Sequence, residues 1–127
     1  MTGYINNIEK VTLANEYFRQ VLYTGQHAQL VVMSLKPGED IGLEVHSVVD
    51  QFLRVESGEG TLVVNGEQHT VTDGDAFVVP AGVEHNVTNL SADKPLKLYT
   101  IYSPPHYKDD TIHKTKLDAE TDTQDHL

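Results

Sequence analysis

Three observations predict an all-β fold, a sandwich or barrel. Short apolar segments follow one another between turn signals at close spacing through the middle of the chain. From about residue 28 to residue 102, no segment keeps apolar residues at a helical period over the length of an ordinary helix. Asn65-Gly66 joins two residue types that accept positive φ, as a two-residue type I′ hairpin requires.

The elements follow in order. "NNIEKVTLANEYF" predicts a short helix, which with the first strand or strands makes an N-terminal extension over residues 1–27. The β core, sandwich or barrel, is expected over residues 28–103. "HAQLVVMSL" reads as a strand ended by "KPGED", "DQFLRVE" by "SGEG", "TLVV" by Asn65-Gly66, "EQHTV" by "TDGD" and "AFVV" by "PAG". Tyr99 and Tyr102 belong to the last strand and read as packing residues. Residues 104–127 form a polar C-terminal extension whose large apolar residues after Ile112 are Leu117 and Leu127, so its last ten or so residues are expected to be a weakly held tail. A chain of 127 residues is enough for one buried core.

Nine Lys and Arg against nineteen Asp and Glu give a net charge of −10, which repels nucleic acid and anionic membrane surfaces. No apolar run is long enough to span a bilayer, and "MTGYINNIEK" lacks the regions of a signal peptide, so a cytoplasmic location is expected. Cysteine is absent, so a metal here must use His, carboxylate or amide donors. No phosphate loop or nucleophile elbow is present.

The segment "GDAFVVPAGVEHNV" carries the chemistry. Gly74 turns the chain, "AFVV" crosses a sheet, Pro80 ends the pairing because it lacks an N–H, and Gly82 permits a tight turn into a return strand that begins at His85. Alternation puts residues 85, 87 and 89 on one face, with His85 and Val87 lining a cavity and Asn89 tying down the turn. The spacing of Gly74, Pro80, Gly82, His85 and Asn89 fills G-x5-P-x-G-x2-H-x3-N at all fixed positions, a chance match of order ~10⁻⁷ per register.

That spacing resembles the second motif of the cupin superfamily. The first cupin motif, G-x5-H-x-H-x3,4-E-x6-G in families that bind metal, is similar to the stretch from Gly38 to Gly58, with Glu44, His46 and Gln51 at the ligand positions. Two of these depart, since Glu44 stands for a His and Gln51 for a Glu. The departures offset in charge: the usual three His and one Glu sum to −1, as do Glu44, His46, Gln51 and His85. Asp50, a carboxylate one position away, is the rival fourth ligand if a bulge presents it. On one strand Glu44 and His46 point the same way, and Gln51 rejoins that face only if residues 47–50 turn or bulge. An inward Gln51 carries Leu53 and Val55 inward with it and leaves Phe52 and Arg54 facing out.

The resemblance, which covers roughly residues 36 to 102, implies a small single-domain cupin: an antiparallel jelly-roll barrel around one divalent metal ion, with Mn, Fe, Ni and Zn all admissible. It implies a homodimer and a small-molecule ligand or substrate. Two functions fit: an isomerase, lyase or dioxygenase type of enzyme acting on an oxygen-bearing metabolite, and a non-catalytic small-molecule-binding or sensor protein. His27, His69, His106, His113 and His126 match no motif position. His106 and His113, flanking "YKDDTI", are expected at the surface, with a place over the barrel mouth as the alternative.

Overall fold

In the computed structural model, which describes residues 2–127, helix α1 (Ile8–Ala14) precedes the strands β1 (Arg19–Thr24), β2 (Gln29–Leu35), β3 (Asp50–Ser57), β4 (Glu59–Val64), β5 (Glu67–Thr72), β6 (Ala76–Val79), β7 (His85–Asn89), β8 (Leu96–Ser103) and β9 (Ile112–His113), and helix α2 (Lys116–Thr121) follows. Every run expected to be a strand is one. The β4–β5 turn has Asn65 at φ 49° and Gly66 at φ 80°, with Val64 paired to Glu67, so the predicted two-residue hairpin is in place.

Antiparallel pairing builds a six-stranded sheet, ordered β6-β3-β8-β2-β1-β9, and a three-stranded sheet, ordered β5-β4-β7. Alternation then sets the core. In β8 Leu96, Leu98, Thr100 and Tyr102 are buried between the sheets, while Lys97, Tyr99 and Ile101 lie on the outer face. Met33, Leu53 and Val55 of the larger sheet meet Leu62, Val71 and Val87 of the smaller one. Phe52 and Arg54 face outward, as their parity requires. The result is an antiparallel jelly roll whose two sheets are not joined into one closed hydrogen-bonded barrel.

Residues 39–44 run along β7 and widen the smaller sheet. Asn89 N donates to Glu39 O at 2.9 Å, Ile41 N to Val87 O at 3.0 Å, and Glu44 and His85 exchange both backbone bonds at 2.9 Å. The chain then bends at Ser47 and Val48 and crosses to the other sheet as β3. Asn89 is buried, and its Nδ2 donates to Leu35 O and Lys94 O, so it does tie down the following turn.

Asn7 caps α1, its side chain accepting from Lys10 N, and Lys97 Nζ fastens the end of the helix through Leu13 O and Asn15 O. The C-terminal extension corrects one expectation. It is polar, yet it is held. β9 pairs with β1, Thr115 and Asp118 form a capping box at α2, Lys108 N donates to Asp125 O at 2.6 Å and Leu127 N to His106 O at 3.0 Å. Tyr107 enters the core, and Asp125 is buried. Composition predicted a weak tail because large apolar residues are scarce. What fastens the segment is hydrogen bonding by a few buried polar groups, which an apolar count does not register.

Candidate metal centre

Three elements deliver polar side chains to one end of the jelly roll. His85 opens β7, Gln51 lies near the start of β3, and Glu44 and His46 come from the segment that runs beside β7. Gly82 N donates to His46 O at 2.8 Å, which ties the turn of the second motif to the first. One donor atom each from Glu44, His46 and His85 lies within 4.8 Å of the other two. Gln51 joins them, with Oε1 3.0 Å from His85 Nε2. Asp50 does not: its carboxylate accepts from Ala81 N at 2.9 Å on the exposed side of β3. The bend at Ser47 and Val48 leads into β3 with Gln51 buried and Asp50 on the exposed face.

The donor atoms fit a divalent cation. His85 Nδ1 lies 3.0 Å from Val83 O, which can only accept, so Nδ1 carries the proton and Nε2 keeps its lone pair. Gln51 Nε2 donates to Thr100 Oγ1 at 3.0 Å, which aims Oε1 at His85 Nε2. Two lone pairs thus face each other. A cation between them relieves this, as does a proton on Nε2 or an amide turned over. The second pair favours the cation. Glu44 Oε2 and His46 Nε2 approach to 2.8 Å, yet both atoms are buried without a hydrogen bond. Donors bound side by side on one octahedral ion at about 2.1 Å lie about 3.0 Å apart, close to both spacings.

The electrostatics keep Glu44 charged. Burial raises its carboxyl, but the contact with His46 and the charge of Arg19 outweigh that, and its pKa falls below the ordinary value. Arg19 Nη2 lies 3.7 Å from Glu44 Oε1. Burial works against the charge on Arg19 too, but Tyr107, Tyr102 and Glu44 hold its pKa above the ordinary arginine value. Its guanidinium stacks 4.7 Å over the Tyr107 ring. Burial, followed by the Glu44 charge, keeps the Tyr102 phenol protonated.

His106 and His113 are corrections, since neither takes the surface position expected of it. The His106 ring is half-buried, 4.4 Å from the rings of both His46 and His126, and its pKa is lowered to about 4 by burial first and then by those two neighbours. His113 is fully buried beside Arg19. His27, His69 and His126 are exposed. A cleft of ≈ 330 Å³ leads from solvent to Glu44 and His46 between Leu43 and Val45 on one side and His106, Tyr107 and His126 on the other. Arg19 carried no motif signal. His106 had a weak one, its place just after Pro104-Pro105 at the end of the last strand of the core.

Comparison with known proteins agrees with this fold. The chain is 48% identical over 122 residues to the uncharacterized protein YrkC of Bacillus subtilis (strain 168), a match covering 91% of this chain and 65% of YrkC. It thus spans just under two thirds of that relative's length. The crystal structure of BH2720 from Bacillus halodurans superposes with a TM-score of 0.91 at 45% identity, over 94% of each chain. The structure of KdgF from Halomonas sp. superposes with a TM-score of 0.64 at 24% identity, over 68% of this chain and 77% of that one, and shares the fold. The sequence model of the cupin domain matches residues 31–102, more than half of the chain, and the protein therefore belongs to the cupin family.

Proposed function

We propose that this cupin binds one divalent metal ion through Glu44, His46, Gln51 and His85 and acts on a small oxygen-bearing metabolite. The observation that carries the reading is the buried pair Glu44 Oε2 and His46 Nε2, 2.8 Å apart but out of hydrogen-bond alignment, beside the facing lone pairs of His85 and Gln51. When bound, a divalent ion supplies Lewis acidity toward a substrate oxygen. The chain supplies the rest. Val83 fixes the His85 tautomer, Thr100 orients the Gln51 amide, and Arg19 balances the Glu44 charge. The cleft has room for a small metabolite. Leu43 and Val45 offer it an apolar wall, and His106 presents a neutral imidazole able to hydrogen-bond a ligand beside His46. We propose in addition a homodimer, as the likeness to small cupins implies, and a cytoplasmic location.

The test is to strip the protein, reload it separately with Mn, Fe, Ni and Zn, and follow a mixture of small hydroxy, oxo and carboxylate metabolites by NMR. Metal-dependent loss of one compound, abolished in His46→Ala, is expected. Broadening of a compound's signals without conversion would favour a sensor or carrier. A protein that takes up none of the four metals would overturn both forms of the reading.

A further inference from the structure

Beyond the four donors lies a chain of polar groups, buried at Arg19, His113 and Asp125 and exposed at Asp122, that leads from Glu44 to the C-terminal segment. β1 and β9 pair in the register Arg19 to His113, which sets these side chains next to each other. Arg19 Nη1 lies 3.3 Å from His113 Nδ1, and His113 Nε2 lies 3.1 Å from Asp122 Oδ2 and 3.3 Å from Asp125 Oδ2. A guanidinium only donates, so Nδ1 is the acceptor and the ring proton sits on Nε2, shared between the two carboxylates. His113, Asp122 and Asp125 are close enough together to hold a metal, but this proton placement removes the lone pair that coordination needs. The cluster is a clasp.

At its other end the chain divides the Glu44 carboxylate. Oε1 faces Arg19 at 3.7 Å, and Oε2 faces His46 at 2.8 Å. One oxygen lies in ion-pair range of the guanidinium, and the other turns to the His46 side of the donor set. Arg19 is itself fixed from three sides, by His113, by the Tyr107 ring and by the Phe18 ring. The clasp also fastens the stretch that contains α2, which Lys116 further ties to Asp40 on the segment leading to Glu44.

We propose that Arg19 and His113 are positioning residues that lock Glu44 with Oε2 toward the metal, and that through them metal binding and closure of the C-terminal segment reinforce each other. The proposal rests on the metal-binding reading above. Partners that orient a ligand without touching the ion change metal affinity by about 10- to 100-fold when removed. Linkage makes the effect mutual: what the clasp adds to metal binding, metal binding adds to the clasp.

The test uses the whole 127-residue chain and Zn(II), with affinity read by competition against a chromophoric chelator and closure by amide exchange at residues 116–127. His113→Leu should bind Zn(II) about 10- to 100-fold more weakly. His113→Gln, which keeps one acceptor for Arg19 and one donor for the carboxylates, should recover most of the loss. Zn(II) should slow exchange in the segment of the wild type and leave it unchanged in His113→Leu. If His113→Leu does not fold, Asp125→Asn, at the far end of the chain, should weaken binding in the same direction. A folded His113→Leu or Asp125→Asn with wild-type affinity would overturn the proposal, as would a His113→Gln no better than the Leu variant, since that would show a packing role. Wild-type protein that binds no Zn(II), Mn(II), Fe(II) or Ni(II) would instead remove the metal-binding reading itself.

Discussion

Gln51 and Asp50 sit next to each other in sequence and on opposite faces of β3, and only their parity separates their roles. Gln51 is buried against His85 and Thr100, whereas Asp50 holds Ala81 N at the surface. Gln51→Glu adds a carboxylate to the donor set, and the Thr100 hydroxyl can turn to donate to it. The variant should therefore bind divalent metal more tightly, by about an order of magnitude, and be less stable without metal because two buried carboxylates then stand together. Asp50→Asn should leave affinity within about twofold. Equal affinities for Gln51→Glu and the wild type would show that Gln51 does not touch the ion. His106 supports a second prediction. Its pKa is lowered from 6.5 to about 4 in the folded protein, so the unfolded chain takes up the proton first. The stability this group contributes is present above about pH 6.5 and is lost as the pH falls toward about 4. Melting curves of metal-free protein should show a shallower acid-side fall in His106→Gln, and an unchanged slope would contradict the burial of that ring. His46, Gln51 and His85 were legible because a motif constrains their spacing along a short stretch. Arg19, His106 and His113 were not, because pairing partners such as residues 19 and 113 meet only once the sheet has formed.

The turns and the C-terminal segment show why some elements were readable and one was misjudged. Gly58 of the first motif has φ +105°, and a Cβ there would lie 2.8 Å from Pro95 O and 3.1 Å from Leu96 Cα. Both the conformation and the space demand glycine, so a sequence pattern records it. Gly58→Ala should cost about 1–3 kcal/mol through backbone strain and overpacking, measurable by denaturant unfolding. A loss within about 0.5 kcal/mol would mean that the β3–β4 turn can rearrange. Strands were legible for a similar reason, since alternation over one covered face is written locally in runs such as "DQFLRVE". The segment after Ile112 has no such period. Its order depends on His113 and Asp125, single polar residues whose burial comes from where the chain places them.

At the scale of the molecule, the jelly roll brings residues 19, 44, 46, 51, 85, 106 and 113 to one end, although they span most of the chain. The two sheets supply rigidity, and the segment beside β7 supplies Glu44 and His46 at a fixed register to His85. A net charge of −10 adds a long-range field that draws cations toward the protein and works against nucleic acid as a partner. The central claim is that the donor set at this end holds a metal. Elemental analysis of the protein as purified, and again after reloading at neutral pH, tests it most directly, with Glu44→Ala and His85→Ala measured beside the wild type. The account predicts about one divalent ion per wild-type chain and well under half of that in either variant. Wild-type protein that stays far below one ion per chain after reloading, or variants that load as fully as the wild type, would contradict it.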